Sequence, residues 1–155
     1  ELFVSIFVCM NVPNNRFQKI FHNLKFLTLS LFMKKVQLSP CEKTPCRLRK
    51  GTEQFITIHF TPDEDLNDLT NNVKANLFGA DVPFIGVDGN SICDKVFTAD
   101  DEKASCPLKA GTEYTYKDSF PVYSFYPSVT ATVKWSLKHG NTDLTCFEVP
   151  VKITK

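Results

Sequence analysis

Six cysteines could support three kinds of chemistry in this sequence. A free thiol could act as a nucleophile, thiolates with histidines could hold zinc, and oxidised pairs would form disulfides. Cys93 and Cys106 are too widely spaced for a structural zinc site, and the histidines form no ligand pair: His22, His59 and His139. An even number spread over the chain is typical of a disulfide framework, in which six cysteines can pair in roughly 15 ways. We therefore expect no metal site, and disulfides formed in an oxidising compartment by Cys9, Cys41, Cys46, Cys93, Cys106 and Cys146.

Two acidic runs, at residues 63–65 and 100–102, could offer oxygen ligands to a cation. Both lack the spacing and the glycine of an EF-hand loop, so we interpret them as solvated turns. The G-x-S-x-G motif of a serine hydrolase is absent from the sequence, and cysteines with plausible partners leave no thiol for a nucleophile. The sequence thus predicts a protein that is not an enzyme and that needs no cofactor.

Charge and hydropathy point to an apolar partner. The formal net charge is +1, from 18 basic and 17 acidic residues, so no long-range field favours nucleic acid. No run is apolar enough to span a bilayer, which needs about 20 predominantly apolar residues. The sequence contains no N-x-S/T sequon, so glycosylation provides no evidence of secretion. The sequence begins at Glu1 and not at methionine, so we expect any signal peptide to have been removed or left out.

The elements that must position these residues read as short strands. Residues 129–138 alternate apolar and polar side chains, residues 140–141 suit a tight hairpin turn, and residues 143–155 return with a second apolar face. Residues 53–60 and 72–79 predict a second pair of strands, separated by an acidic loop, and residues 112–122 predict another strand. Six or seven short strands with frequent turns favour an all-β, immunoglobulin-like sandwich of two antiparallel sheets.

Residues 1–35 fit this pattern less well. Residues 17–27 place apolar side chains at helical spacing, whereas residues 24–32 alternate as a strand would. Either a helix or a strand docked on the sandwich is compatible with the pattern. A membrane-binding amphipathic helix is less favoured, because two lysines and one arginine are few for that role.

The stretch "SFPVYSFYPS", residues 119–128, combines four aromatic residues with two prolines. Proline donates no ladder hydrogen bond and is confined to strand edges, starts and bulges. The stretch therefore cannot form one uninterrupted central strand, although it is too apolar for an ordinary loop.

Four segments resemble one known family: "SPCEKTPCRLRKG", "VPFIGVDGNSICD" with "CPLKAGTEYTY", "FPVYSFYPSVTATVKWSL" and "CFEVPVKI". Their order and intervals are similar to those of the ML (MD-2-related lipid-recognition) domain, and most closely to the Niemann-Pick type C-2 sterol carriers of arthropods. The resemblance covers residues 36–155 and leaves residues 1–35 as an N-terminal segment with the first cysteine. It implies a sandwich whose sheets enclose an apolar cavity.

The resemblance also implies the disulfide pairing, which composition alone leaves open: Cys41 with Cys46, Cys93 with Cys106, and Cys9 with Cys146. One departure concerns the first cysteine, which relatives follow with glycine and place about half as far from the "SPC" motif. Here Met10 follows Cys9. Residues 10–33 are then either an insertion or sequence from outside the family.

The resemblance assigns ligand-binding residues as well. Val122, Tyr126 and Pro127 match positions at the cavity mouth, opposite Phe84. The positions that match the interior wall are Leu38, Leu48, Ile56, Val82, Phe120, Val133 and Trp135. Alternation alone would make these wall residues ordinary core. Tyr123 and Phe125 are either exposed strand aromatics or a docking surface for a membrane or an acceptor protein.

We expect a secreted or lysosomal, non-enzymatic carrier that holds a sterol, fatty acid or related lipid in this cavity. The expected form is a monomer with no nucleic-acid partner. One alternative is a lipid-sensing co-receptor or innate-immune module for microbial lipids, to which a basic cluster at Arg47, Arg49 and Lys50 would be suited. The other alternative is a structural domain with a filled core.

Overall fold

The structure is a computed structural model that describes the strand Phe7–Val8 and residues 36–155, and within these residues every regular element is a β-strand. The described part of the chain contains no helix that could cross a membrane. The strands are β1 Phe7–Val8, β2 Val36–Ser39, β3 Cys46–Arg49, β4 Glu53–Phe60, β5 Thr70–Leu77, β6 Ala80–Pro83, β7 Val96–Thr98, β8 Lys103–Ala104, β9 Tyr114–Pro121, β10 Thr130–His139 and β11 Thr142–Thr154. The sequence predicted fewer, because strands of two to four residues leave little periodicity.

The strands form two sheets packed face to face. The large sheet has six strands in the order β1-β11-β10-β5-β6, with β3 also paired to β11, and the small sheet has the order β2-β4-β9-β7-β8. All pairings are antiparallel except the parallel pair of β3 and β11. The predicted all-β sandwich is confirmed.

The C-terminal hairpin agrees with the prediction from alternation. Strands β10 and β11 pair over nearly their whole length, with Trp135 opposite Phe147, and the turn between them passes through Gly140 at a φ of 57°. A positive φ is what a tight hairpin turn requires and what glycine adopts without steric cost.

The two strands predicted at residues 53–60 and 72–79 are present, but the prediction that they form a pair was wrong. Strand β4 pairs with β2 and β9 in the small sheet, whereas β5 pairs with β10 and β6 in the large sheet. The connection between β4 and β5 crosses from one sheet to the other and buries Leu66 and Leu69 completely. Each strand has one inward apolar face, and that pattern does not distinguish between the two sheets.

A buried polar network joins the two sheets. Asn71 Nδ2 of β5 donates to the Tyr116 hydroxyl of β9 at 2.8 Å, and Trp135 Nε1 of β10 donates to Asn71 Oδ1 at 3.0 Å. The Tyr116 hydroxyl donates to Asp118 Oδ2 at 2.8 Å, and Lys95 Nζ lies 2.9 Å from both oxygens of that carboxylate. Burial raises the pKa of Tyr116, and the Asp118 carboxylate raises it further. The phenol therefore stays protonated and keeps its donor role.

Two of the three expected disulfides are present. Cys41–Cys46 connects the end of β2 in the small sheet to the start of β3 in the large sheet, and Cys93–Cys106 closes the loop that contains β7 and β8. Cys146 is not a free thiol. Its predicted partner, Cys9, lies outside the described residues, as do the helix and strand interpretations of residues 17–32, so these remain predictions.

Candidate functional site

The aromatic stretch at residues 119–128 leaves the small sheet where β9 ends at Pro121. Val122 then exchanges two hydrogen bonds with the turn after β3: its N–H donates to Thr52 O at 2.8 Å, and its carbonyl accepts from Gly51 N at 2.7 Å. A turn follows in which Tyr126 N donates to Tyr123 O at 3.2 Å. The stretch therefore runs from the small sheet toward the start of β10 in the large sheet.

Phe84 is held in a turn that is pinned to β5. Its N–H donates to Val73 O at 2.9 Å, and its own carbonyl accepts from Asp88 N at 3.0 Å. The Asp88 carboxylate closes the turn, since one oxygen accepts from Val73 N and the other from Lys74 Nζ, both at 2.7 Å. A turn held at this many points fixes the direction of the Phe84 side chain.

Phe84 and the aromatic stretch meet at one side of the sandwich. The Phe84 ring makes edge contacts with Phe120, at 5.4 Å between centroids, and with Tyr126, at 5.9 Å. Tyr123 stacks on Phe125 at 5.1 Å, and Phe125 remains 68% exposed. We call Phe84, Tyr123, Phe125 and Tyr126 the aromatic rim.

Beneath the rim lies a narrow cavity of about 20 Å³ between the two sheets. Its lining is entirely aliphatic and aromatic, and six of the predicted residues contribute to it: Leu38, Leu48, Phe84, Phe120, Val133 and Trp135. This volume has room for about one water molecule. A lipid could enter only if the two sheets moved apart.

The other five predicted residues do not line this cavity. Ile56 and Val122 are fully buried in the core, and Tyr126 is half-buried on the rim. Pro127 is exposed, as is Val82, at 42%. Val82 faces solvent because β6 is an edge strand in which all four residues are exposed.

Three lining residues were not among those predicted: Phe147, Val149 and Val151 of β11. The signal for them was available, because they share the inward face that alternation assigns to this strand. They were missed because the resemblance assigned wall positions on other strands only.

Gln54 was also missed, and it is the polar side chain placed most unexpectedly. It lies on β4 with 1% of its surface exposed, on the same inward face as Ile56, and its Oε1 has no hydrogen-bond partner. The Tyr126 hydroxyl is the second such buried atom among the described side chains. Burial raises the pKa of Tyr126, the neighbouring Tyr123 raises it further, and the Ile85 backbone offsets this only in part.

The acidic runs form ordinary surface contacts. Asp65 accepts from Ala110 N at 2.9 Å and from Lys109 Nζ at 3.3 Å, and these bonds, the backbone one first, lower the pKa of its carboxyl. Asp101 pairs with Lys117. Within residues 36–155 no group of three or more acidic, histidine or cysteine side chains is arranged to hold a metal ion.

The basic cluster lies next to the aromatic stretch. Arg47 and Arg49 are exposed on β3, and Lys50 N donates to Thr154 O at 2.9 Å. The next residue, Gly51, is the one that donates to the Val122 carbonyl. The turn that follows the cluster is therefore bonded to the segment that carries the rim.

A protein-family model for the ML domain matches residues 29–153. The match begins before residue 36, the boundary suggested by the sequence motifs.

Individual proteins resemble the chain over similar spans. It is 33% identical over 108 residues to an "Ecdysteroid-regulated 16 kDa protein" of Manduca sexta, covering 70% of each chain. It is 32% identical over 123 residues to "NPC intracellular cholesterol transporter 2" of Mus musculus, covering 79% of this chain and 77% of the mouse protein. The crystal structure of a Niemann-Pick type C2 protein from the Japanese carpenter ant superposes with a TM-score of 0.66 at 24% identity, covering 77% of this chain and 89% of the ant chain, and so shows the same fold.

Proposed function

Because the chain belongs to the ML domain family, we propose that it is a non-enzymatic carrier that takes up a lipid between its two sheets and transfers it chemically unchanged. The observation that carries this proposal is the cavity under the aromatic rim, whose lining is apolar throughout. The name of the mouse relative, a cholesterol transporter, supports a sterol or a molecule of similar apolarity as the ligand.

Burial of apolar surface supplies the binding energy in this proposal. Each Å² of apolar surface removed from water contributes about 25 cal/mol. A sterol-sized ligand therefore reaches micromolar affinity or better without an ion pair, even after part of this energy is used to separate the sheets.

The aromatic rim is the proposed entrance. Phe84 contacts both Phe120 of the small sheet and Tyr126 of the crossing stretch, so it covers the cavity from the side. The prolines at 121 and 127 limit ladder hydrogen bonding in this stretch. We propose that the sandwich opens at this place, by displacement of the Phe84 and Tyr126 side chains.

Native mass spectrometry of the protein expressed through a secretory pathway, before and after organic extraction, tests the proposal. We expect a non-covalent lipid mass before extraction, and recovery of that mass when the extracted protein is incubated with cholesterol or oleic acid. A protein that takes up neither lipid after extraction would indicate a filled sandwich and contradict the proposal.

A matched pair of variants locates the site in the same assay. Phe84→Asp places a charge at the entrance and should abolish lipid uptake, because desolvating a carboxylate there is costly. Phe55→Asp places the same charge on the outer face of the small sheet, where Phe55 is 52% exposed, and should leave uptake unchanged. Equal uptake by both variants would place the ligand elsewhere.

The basic cluster favours a second candidate, a lipid-sensing module for phosphorylated lipids. Arg49 and Lys50 directly precede the Gly51 turn that is bonded to the rim segment, and arginine forms bidentate pairs with phosphate. Under this candidate, Arg49→Gln should weaken binding of a phosphorylated glycolipid but not of cholesterol. Equal affinity of the variant and the wild type for the glycolipid would contradict this second candidate function.

The disulfides support an oxidising location, either extracellular or in the lysosomal lumen. We propose that the carrier is a monomer whose partners are the lipid and the membrane or acceptor protein that receives it. Tyr123 and Phe125 are the proposed docking residues, since Phe125 is largely exposed beside the entrance.

A further inference from the structure

The two buried orphan polar atoms of the described side chains lie in the same part of the sandwich. Gln54 stands directly opposite Phe120 in the register of β4 and β9. Directly opposite residues of an antiparallel pair point to the same face, with Cβ atoms about 4.5–5.5 Å apart. The Gln54 amide is therefore next to a side chain that lines the cavity.

A second register gives the same placement. Leu38, which lines the cavity, is opposite Ile56 in the pairing of β2 with β4. Gln54 precedes Ile56 by two residues and shares its inward face, so it is a diagonal neighbour of Leu38. The amide thus lies between two contributors to the cavity wall.

The Tyr126 ring also contacts Phe84. The Phe84 ring thus contacts both Phe120, the partner of Gln54, and Tyr126. Both orphan polar atoms consequently belong to residues next to the proposed entrance, whereas the buried amide of Asn71 and the phenol of Tyr116 are paired.

A buried amide oxygen without a partner destabilises the folded protein, because its hydrogen bonds to water are lost and not replaced. We propose that Gln54 selects hydrophobic ligands that carry a neutral hydroxyl, by forming with that hydroxyl the hydrogen bond that the protein does not supply. This inference rests on the proposed lipid-carrier function. The unpartnered atom is Oε1, an acceptor, so the ligand hydroxyl would donate its proton to it.

The charge of the surroundings decides between a hydroxyl and a carboxylate. No cationic side chain contributes to the cavity wall, and the nearby Arg49 is exposed to solvent. An ionised carboxylate would be buried there without a counter-charge, which costs far more free energy than one hydrogen bond to an amide returns. The ligand group at Gln54 is therefore uncharged.

Two ligand pairs that differ by one hydroxyl test the inference: cholesterol against cholest-5-ene, and hexadecanol against hexadecane. We expect the wild type to prefer the hydroxylated member of a pair it accepts by about 5- to 150-fold, the range for leaving a buried amide unpaired. Gln54→Leu should bring this ratio close to one. Gln37→Leu makes the same change at an exposed position of β2 and should keep the wild-type ratio.

Each outcome has a distinct meaning. A wild type that binds neither member of either pair contradicts the carrier function, and the inference falls with it. A wild type that binds both members equally, or a Gln54→Leu variant that keeps the wild-type ratio, contradicts the inference alone. Because Gln54→Leu removes a buried amide oxygen that has no partner, the melting temperature of this variant should equal or exceed that of the wild type. Should the branched leucine disturb folding, Gln54→Met, which has a similar unbranched shape, decides the ratio.

Discussion

Tyr116 connects the two sheets through a single hydroxyl, which accepts from Asn71 and donates to Asp118. Tyr116→Phe would keep the ring and remove both bonds, leaving the buried Asn71 Nδ2 unpaired. We expect a loss of about 1–3 kcal/mol in the free energy of unfolding, measured by urea denaturation. Tyr123→Phe on the rim is the control, with no comparable loss, and equal stability of the two variants would show that the network contributes little.

The same hydroxyl predicts a dependence of stability on pH. An unfolded tyrosine has a pKa of about 10, and burial raises that of Tyr116 in the folded protein. Its contribution is fully present below about pH 10 and is lost as the pH rises further, because the unfolded chain then releases a proton that the folded protein retains. Between pH 10 and 11 the wild type should lose stability more steeply than Tyr116→Phe. Parallel curves would contradict this assignment.

The orientation of a side chain is more predictable for residues that repeat a strand pattern than for residues that break it. Val133 and Trp135 could be placed on the inward face of their strand because they alternate with polar neighbours, and the resemblance assigned them to the cavity wall. Gln54 could not, because a glutamine beside Glu53 at a strand start reads as a polar, solvent-facing position until the pairing is known. Val82 shows the opposite case. It was assigned to the interior wall but is exposed, since an apolar residue on this edge strand has no second layer to pack against.

Among the elements, the Phe84 turn depends on one carboxylate. Asp88→Ala would remove the acceptor of Val73 N and the partner of Lys74. We expect a loss of about 1–2 kcal/mol in stability and weaker lipid binding, because Phe84 would no longer be held over the cavity. Asp100→Ala, in an exposed loop, should change neither quantity. Unchanged hydrogen exchange at the Val73 amide in Asp88→Ala would contradict the proposed role.

Local patterns predicted the elements, and long-range pairing decided their arrangement. The hairpin of β10 and β11 is local: its alternation and its Gly140 turn lie within one stretch of sequence. The separation of β4 and β5 into different sheets is not local, because it depends on how residues 61–69 cross the core. The short β7 and β8 escaped notice since two or three residues contain no measurable period.

For the molecule as a whole, two regions differ in how firmly they join the sheets. The Asn71–Tyr116 network joins them with hydrogen bonds, whereas the rim covers the cavity with aromatic contacts. We expect backbone amides of residues 123–128 to exchange with solvent much faster than those of Asn71 and Tyr116. Hydrogen exchange followed by mass spectrometry measures both sets.

Lipid binding should slow exchange in residues 123–128 and leave the network residues unchanged. Uniform protection of the rim and the network residues would instead indicate that the ligand stabilises the sandwich globally and not by binding at the rim. The stability of the loaded protein should also rise with the concentration of free lipid, as it does for any ligand that binds only the folded state.

The borders of the two sheets bear on how the protein behaves in concentrated solution. Strands β2 and β8, at the borders of the small sheet, have four and two residues, and β2 is followed by Pro40. Strand β6 of the large sheet has four residues and ends at Pro83. Short borders interrupted by proline give a second molecule little backbone to pair with. A protein built this way can carry a large internal apolar surface and still resist the strand-to-strand association that leads to precipitation and fibres.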